Sequence, residues 1–76
     1  METAYLLVRL VRSTPAEVAR AVRRVPGVME AAVTMGEVDV LAIIRGETTR
    51  ALAEIGHQVE AIEGVGKVSI CVVVRP

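Results

Sequence analysis

The amino-acid sequence predicts a single α+β domain, spanning residues 1–76, with the element order βαββαβ. Three observations lead to this prediction. The chain has 76 residues, which is the length of one small domain. Two segments with helical spacing of apolar residues alternate with four runs rich in Val, Ile, Leu and Ala. The two halves also echo each other, because residues 22–28 match residues 59–65 at a constant offset of 37.

The first half of the chain predicts a strand, a helix and a turn. Residues 4–11 form the strand, because aliphatic and β-branched side chains dominate there. Thr14 and Glu17 fit a capping box with proline at the first helical position: the Thr14 hydroxyl accepts a backbone N–H and Glu17 reaches back. The helix is expected to run to about Val25, where a Pro-Gly pair ends it.

The second half predicts a hairpin, a helix and a last strand. Residues 28–35 and 38–45 form the hairpin, with a short turn at residues 36–37. The second helix begins near residue 48 or 49, and its apolar side chains share one face. The last strand is predicted over residues 67–74, after a Gly-Val-Gly turn.

Two such βαβ units give the ferredoxin-like βαββαβ sandwich. Right-handed crossovers place both helices on one face of a four-stranded antiparallel sheet in spatial order 4-1-3-2. Residues 5–8, 40–44 and 70–74 are apolar at almost every position, which is typical of strands that are buried on both faces. Because the helices cover one face only, a second copy is expected to cover the other and to form a dimeric α+β barrel.

Composition excludes several classes of protein. Cys71 and His57 are the only residues of their types, so an internal disulfide, a His- or Cys-rich metal site and a cofactor are not expected. Nine basic and nine acidic residues leave no basic stripe for direct nucleic-acid binding. The start lacks the basic region of a signal peptide and the apolar runs are too short to span a membrane. We therefore expect a soluble, cytoplasmic protein.

Few side chains suggest chemistry. His57 is expected to be a solvated helix residue, and Cys71 a small buried hydrophobe inside the last strand. Arg20 and its neighbouring arginines follow Glu17 at helical spacing, which favours a salt-bridged solvent face over a phosphate site. Two glutamates at the end of the second helix, Glu60 and Glu63, have no candidate partner base. The chain is therefore not expected to be an enzyme.

Four segments together resemble a known family. They read Ala-Tyr-Leu-Leu-Val-Arg at 4–9, Val-Pro-Gly-Val at 25–28, Thr-Met-Gly-Glu-Val-Asp-Val-Leu at 34–41, and Gly-Val at 64–65. This pattern resembles the effector-binding domain, or RAM domain, of the Lrp/AsnC transcription regulators, and it covers nearly the whole chain. In that family the domain follows a helix-turn-helix DNA-binding domain. Since the first strand begins at residue 4, the chain is expected to be the stand-alone form.

The resemblance implies a dimer through the sheets, then a ring of dimers, with small effectors, often amino acids, bound between dimers. A Gly-x-x-Asp turn supplies much of that site in the family. The effector-binding residues that the resemblance implies are Met35, Gly36, Glu37, Val38, Asp39, Ser69 and Ile70. Gly36 lets backbone N–H groups approach a carboxylate, and Asp39 accepts hydrogen bonds either from an ammonium group or from the turn itself.

The chain departs from the family pattern at two places. Val38 stands where the family often has an aromatic residue, and Val68 and Ile70 stand where it often has threonines. Fewer hydroxyl groups favour an effector with an aliphatic side chain. Two other hypotheses stay open: an assembly partner that joins full-length Lrp/AsnC regulators without a ligand of its own, and a small dimeric ferredoxin-like enzyme.

Overall fold

The computed structural model of the chain describes residues 1–75 and contains the predicted elements in the predicted order. The elements are β1 (Glu2–Leu10), α1 (Pro15–Arg23), β2 (Val28–Val33), β3 (Val40–Gly46), α2 (Thr49–Glu60) and β4 (Val65–Val72). The four strands form one antiparallel sheet in the order β2-β3-β1-β4, which is the predicted order read from the other edge. The ferredoxin-like arrangement is therefore confirmed.

The core lies between the two helices and one face of the sheet. Alternate residues of the central strands face the helices, because successive side chains of a strand point to opposite faces. These strand residues and the helix residues that pack on them form one buried cluster, whose largest fully buried members are Leu6, Val8, Val22, Val40, Ile44, Leu52 and Val59. The apolar stripes of both helices therefore cover the same sheet face, as predicted.

The internal repeat is visible in the two turns that follow the helices. Gly27 has φ +98° and Gly64 has φ +96°, a backbone region that favours glycine. Each glycine carbonyl accepts a hydrogen bond from the end of a strand: Gly27 from the Arg45 amide at 2.9 Å, and Gly64 from the Val11 amide at 2.8 Å. The matched sequence segments thus make the same contact in both halves.

The start and the end of α1 differ from the prediction, whereas α2 begins at Thr49 as predicted. Thr14 is the N-cap of α1, but its side chain makes no capping hydrogen bond, and Glu17 is exposed. The helix is instead started by the Thr14 carbonyl, which accepts from the Val18 amide at 3.1 Å, and by Pro15, whose ring fixes a helical φ. The predicted capping box is therefore wrong, and α1 ends at Arg23, two residues early.

The boundaries of β2, β3 and β4 also differ from the prediction. β2 ends at Val33 and β3 begins at Val40, so the hairpin turn spans residues 34–39 instead of the two residues predicted. The last strand begins at Val65, because its start pairs with Leu10 at a register shift in β1. β4 ends at Val72, and just beyond this end the Val73 amide still donates to the Thr3 carbonyl at 2.9 Å.

The sheet face opposite the helices is largely apolar. We define the helix-free face by the side chains that alternate with the core residues; its apolar centre consists of Tyr5, Leu7, Ala32, Leu41, Ile43, Cys71 and Val73. Tyr5 is 41% exposed within the single chain. Cys71 pairs with Tyr5 on this face and is exposed, so its predicted burial is wrong for one chain. The reason is that β4 is an edge strand whose helix-free side has no cover.

Candidate functional site

The hairpin turn between β2 and β3 is closed at its base by Thr34. The Thr34 amide donates to the Asp39 carbonyl at 3.0 Å, and the Thr34 hydroxyl donates to the Val38 carbonyl at 2.8 Å. The side chain of Thr34 therefore satisfies a carbonyl that the turn would otherwise leave to water. Thr34 was not among the predicted site residues, although a Thr that precedes a glycine turn is a known local signal for such a bond.

Asp39 joins the turn to the neighbouring strand. Its Oδ2 atom accepts a hydrogen bond from the Leu10 amide at 2.9 Å, and its own amide donates to the Val8 carbonyl at 2.9 Å. The prediction gave this carboxylate an ammonium group or the turn's own backbone as partner. The structure instead places its partner at the end of β1.

The tip of the turn projects away from the protein. Met35 is 100% exposed, and Glu37 is exposed beside it. Gly36 has φ +144°, and a Cβ atom built on it has no neighbouring atom within 4 Å. Val38 is half-buried at the base. The tip is thus held in place by its base while its backbone remains open to a ligand or to another chain.

The two predicted residues of the last strand lie apart from the turn. Ser69 pairs with Leu7 and points to the helix-free face, whereas Ile70 pairs with Leu6 and points to the helices. β1 separates β4 from β3, so these residues lie about 10 Å or more across the sheet from the turn. Within one chain, the structure therefore brings residues 35–39 together but leaves the β4 pair in a second group.

A shallow groove elsewhere was not predicted. It has a volume of about 600 Å³ and lies between the β1–α1 linker, the first turns of α1 and the α2–β4 turn. The Ser13 hydroxyl donates to the Gly64 carbonyl at 3.1 Å at its floor, and Arg12 has φ +49°. The signal for it in the sequence is the linker at 11–14, which is longer than the linker at 47–48 in the other half.

The other polar candidates lie on the surface. His57, Glu60 and Glu63 are exposed, as are Arg20 and Arg24. The Arg23 guanidinium donates through Nε to the Ala31 carbonyl of β2 at 3.0 Å, so this arginine ties α1 to the sheet. Among residues 1–75, no three His, Cys, Asp or Glu side chains are grouped to hold a metal ion. No helix in the described part of the chain has the length and apolarity needed to cross a membrane.

The sheet, the helices on one face and the projecting glycine turn define a small ligand-binding domain of the RAM type. A family model for the Lrp/AsnC ligand binding domain matches residues 3–76. The chain therefore belongs to the Lrp/AsnC ligand-binding domain family, and the resemblance stated above is confirmed. A search of curated proteins gives no significant match.

Solved structures share the fold. A protein from Thermus thermophilus superposes with a TM-score of 0.91 at 25% identity, over 100% of this chain and 96% of that one. A transcriptional regulator from Neisseria meningitidis, solved as an L-methionine complex, has a TM-score of 0.80 at 21% identity and is matched over 97% of this chain. A feast or famine regulatory protein from M. tuberculosis, complexed with L-methionine, has a TM-score of 0.84 at 14% identity over 100% of this chain.

The two regulators are longer than this domain. The chain spans 50% of the Neisseria regulator and 52% of the M. tuberculosis protein. At identities below 25% these two likenesses show the fold alone. The family itself is the ligand-binding domain of Lrp/AsnC proteins.

Proposed function

We propose that this chain is a homo-oligomeric effector-binding module of the Lrp/AsnC type, which binds a small amino acid and serves transcription regulation without enzyme activity of its own. The observation that carries the proposal is the glycine turn at residues 34–39, whose tip is exposed and whose base is closed by Thr34 and held to β1 by two hydrogen bonds of Asp39.

The chemistry of the turn suits an amino acid. At φ +144° and without a side chain, Gly36 leaves room for a ligand carboxylate to approach the backbone N–H groups of the tip. Met35, Val38 and Ile70 offer apolar contacts, and positions 68 and 70 carry no hydroxyl group. We therefore propose an effector with an aliphatic or thioether side chain, and L-methionine is the first ligand to test.

The site is proposed to be completed between chains. The turn residues and the β4 residues Ser69 and Ile70 form two separate groups within one chain, which supports a site where one chain supplies the turn and another supplies β4. Exposed apolar side chains along the β2 edge and the turn also support contacts beyond a dimer. They are Met29, Val33 and Met35.

The dimer itself is proposed to form through the helix-free face. Its centre is apolar, and an apolar patch of this kind on a small domain marks an interaction surface. Its border carries Arg9, Lys67 and Arg45 on three strands and Glu30 on a fourth, so both signs of charge are present for pairing across a two-fold axis. The proposed occupant is a second copy of the chain, whose sheet presents the same apolar face.

Ligand binding is tested by thermal unfolding of the purified protein with each proteinogenic amino acid. Free ligand at ~100 times its dissociation constant adds about 2.7 kcal/mol to the free energy of unfolding. For a domain of this size, that raises Tm by about 10 °C or more. We expect L-methionine to give such a shift. If no amino acid shifts Tm, the effector-binding proposal is wrong.

The matched variants are Gly36→Val and Glu47→Val. Valine at position 36 has space around it but adopts φ +144° only with strain, so the tip shifts while the fold is retained. Glu47 is an exposed residue of the β3–α2 linker. We expect Gly36→Val to abolish the L-methionine shift and Glu47→Val to preserve it. Equal Tm shifts in both variants would show that the turn is not part of the effector site.

One observation favours a second function. Positions 68 and 70 lack the hydroxyl groups of the family pattern, which weakens polar contact with an effector. The alternative proposal is therefore an assembly partner that joins full-length Lrp/AsnC regulators without a ligand. Native mass spectrometry of the chain mixed with such a regulator from the same cell tests it: mixed oligomers support this function, and separate homo-oligomers contradict it.

A further inference from the structure

The Asp39 carboxylate already has a backbone partner. The pairing of β1 with β3 ends at Val8 and Val40, and beyond this pair β3 offers no further ladder residue. The Leu10 amide donates to Asp39 Oδ2 at 2.9 Å, so the side chain takes the place of the next backbone carbonyl. A hydrogen bond to a charged acceptor is among the stronger ones in proteins. This carboxylate therefore extends the β1–β3 ladder by one bond.

Thr34 acts on the opposite side of the same turn. Its amide and hydroxyl bond the carbonyls of Asp39 and Val38, at 3.0 and 2.8 Å. Together with the Asp39 amide, which donates to the Val8 carbonyl at 2.9 Å, these bonds fix both ends of the turn. The exposed tip at residues 35–37 is the part that this arrangement holds out from the protein.

We infer that Asp39 and Thr34 are positioning residues of the proposed effector site, and that Asp39 acts through the Leu10 amide instead of binding the ammonium group of the effector. This inference rests on the proposed function. It changes the role that the sequence assigns to Asp39 and adds Thr34 to the site. Amino-acid recognition then depends on the backbone of the tip and on side chains outside residues 34 and 39.

The experiment compares Asp39→Asn with Asp39→Ala. Asparagine keeps an oxygen that accepts from the Leu10 amide but removes the charge, whereas alanine removes both. We expect the Kd for L-methionine to stay within about threefold of wild type in Asp39→Asn and to rise about tenfold or more in Asp39→Ala. An equal loss of affinity in both variants overturns the inference. The two variants share only the loss of the charge, so the hydrogen bond to the Leu10 amide would then not matter for binding.

A second readout separates positioning from direct contact. The ligand pair is L-methionine and 4-(methylthio)butanoic acid, which lacks the ammonium group. A positioning role leaves the ratio of their two Kd values unchanged between wild type and Asp39→Asn. If Asp39 contacts the ammonium group, L-methionine loses affinity in Asp39→Asn and 4-(methylthio)butanoic acid does not. The Kd of the acid divided by the Kd of L-methionine then falls towards one. That result overturns the inference.

Hydrogen exchange and Thr34 variants complete the test without depending on ligand binding by Asp39→Ala. The Leu10 amide is expected to exchange at the wild-type rate in Asp39→Asn, and faster in Asp39→Ala. Thr34→Ser is expected to bind L-methionine like wild type, and Thr34→Val to bind about tenfold more weakly. Equal binding by these two variants contradicts the role of Thr34. Glu54→Gln and Glu54→Ala, on the exposed side of α2, are the matched controls.

The outcomes distinguish the two proposals. A wild-type protein that binds no amino acid contradicts the proposed function. Wild-type binding that is lost equally in Asp39→Asn and Asp39→Ala contradicts only the inference about Asp39.

Discussion

At the scale of single residues, the absence of a side chain decides how closely neighbouring segments approach. A Cβ on Gly27 would overlap with Ile55 Cδ1 and lie 3.3 Å from the Arg45 carbonyl oxygen. A Cβ on Gly56 would lie 2.6 Å from Ile70 Cδ1. The difference lies in the neighbours: Ile55 is buried and Ile70 is 38% exposed, so only Ile70 has room to move.

We therefore expect Gly27→Ala and Gly56→Ala to differ in stability. Gly27→Ala combines a strained φ of +98° with a clash against a fixed core side chain, so it should lower the free energy of unfolding by about 2–4 kcal/mol. Gly56→Ala gains helix propensity and displaces an exposed isoleucine, so its change should stay below about 1 kcal/mol. Urea unfolding measures both.

Ile70→Val provides the control for Gly56. Valine lacks the Cδ1 atom that meets the new methyl group, so Gly56→Ala should be more favourable in the Ile70→Val background than in wild type. A large loss of stability in both backgrounds would show that another contact of α2, and not Ile70, limits this position.

At the scale of elements, the starts of the two helices are built differently. The Thr48 hydroxyl accepts from the Ala51 amide at 3.1 Å, whereas Thr14 makes no side-chain cap and leaves the start of α1 to its backbone and to Pro15. The sequence favours the opposite assignment, because Glu stands three residues after Thr14 and not after Thr48.

Thr48→Ala and Thr14→Ala should therefore have unequal effects. Loss of the Thr48 cap is expected to cost about 1 kcal/mol of stability, because the Ala51 amide loses its acceptor. Thr14→Ala should change the free energy of unfolding by less than about 0.5 kcal/mol, as for an ordinary surface position. Denaturant titration of the two single variants checks the order. A larger loss of stability for Thr14→Ala than for Thr48→Ala would show that the predicted capping box does form.

The sequence predicts the elements better than their connections. Apolar spacing and the internal repeat are local signals, so the strand order and the helices follow from them. The length of the turn at residues 34–39 does not, because its base depends on the bond between Asp39 and Leu10, which are 29 residues apart. Exposure of Cys71 likewise depends on β4 lying at an edge of the sheet, which no single segment encodes.

At the scale of the whole molecule, the helix-free face is the main surface without cover in the single chain. Tyr5 lies in its middle, paired with Ile43 on one side and Cys71 on the other.

The residues of the candidate site could be predicted from the sequence only through the family resemblance. The residues at 35–39 do lie together, whereas the relation of Ser69 and Ile70 to them depends on a neighbouring chain that the sequence does not describe.

Tyr5→Glu should separate the proposed dimer. A carboxylate in the centre of the helix-free face would be buried against a second copy without a partner, which is strongly unfavourable. In the single chain Tyr5 is 41% exposed, so the fold should persist. Sedimentation velocity is expected to show an oligomer for wild type and a folded monomer for the variant.

Val11→Glu is the control for this experiment. Val11 is an exposed apolar residue outside the helix-free face, at 58% exposure, so the same change there should leave the oligomer intact. A wild-type protein that sediments as a monomer in dilute buffer contradicts the proposed interface, and so does a Tyr5→Glu variant that keeps the wild-type assembly.

The position of Cys71 allows the reactivity of its thiol to measure the association of the chain. Its thiol is exposed when the chain is alone and lies on the helix-free face beside Tyr5, where a second copy would seal it from solvent. Iodoacetamide should therefore alkylate Cys71 quickly in dilute solution and slowly at high protein concentration, and Tyr5→Glu should abolish the difference. Since this is the chain's only cysteine, the rate of thiol loss reads directly as the fraction of dissociated chains.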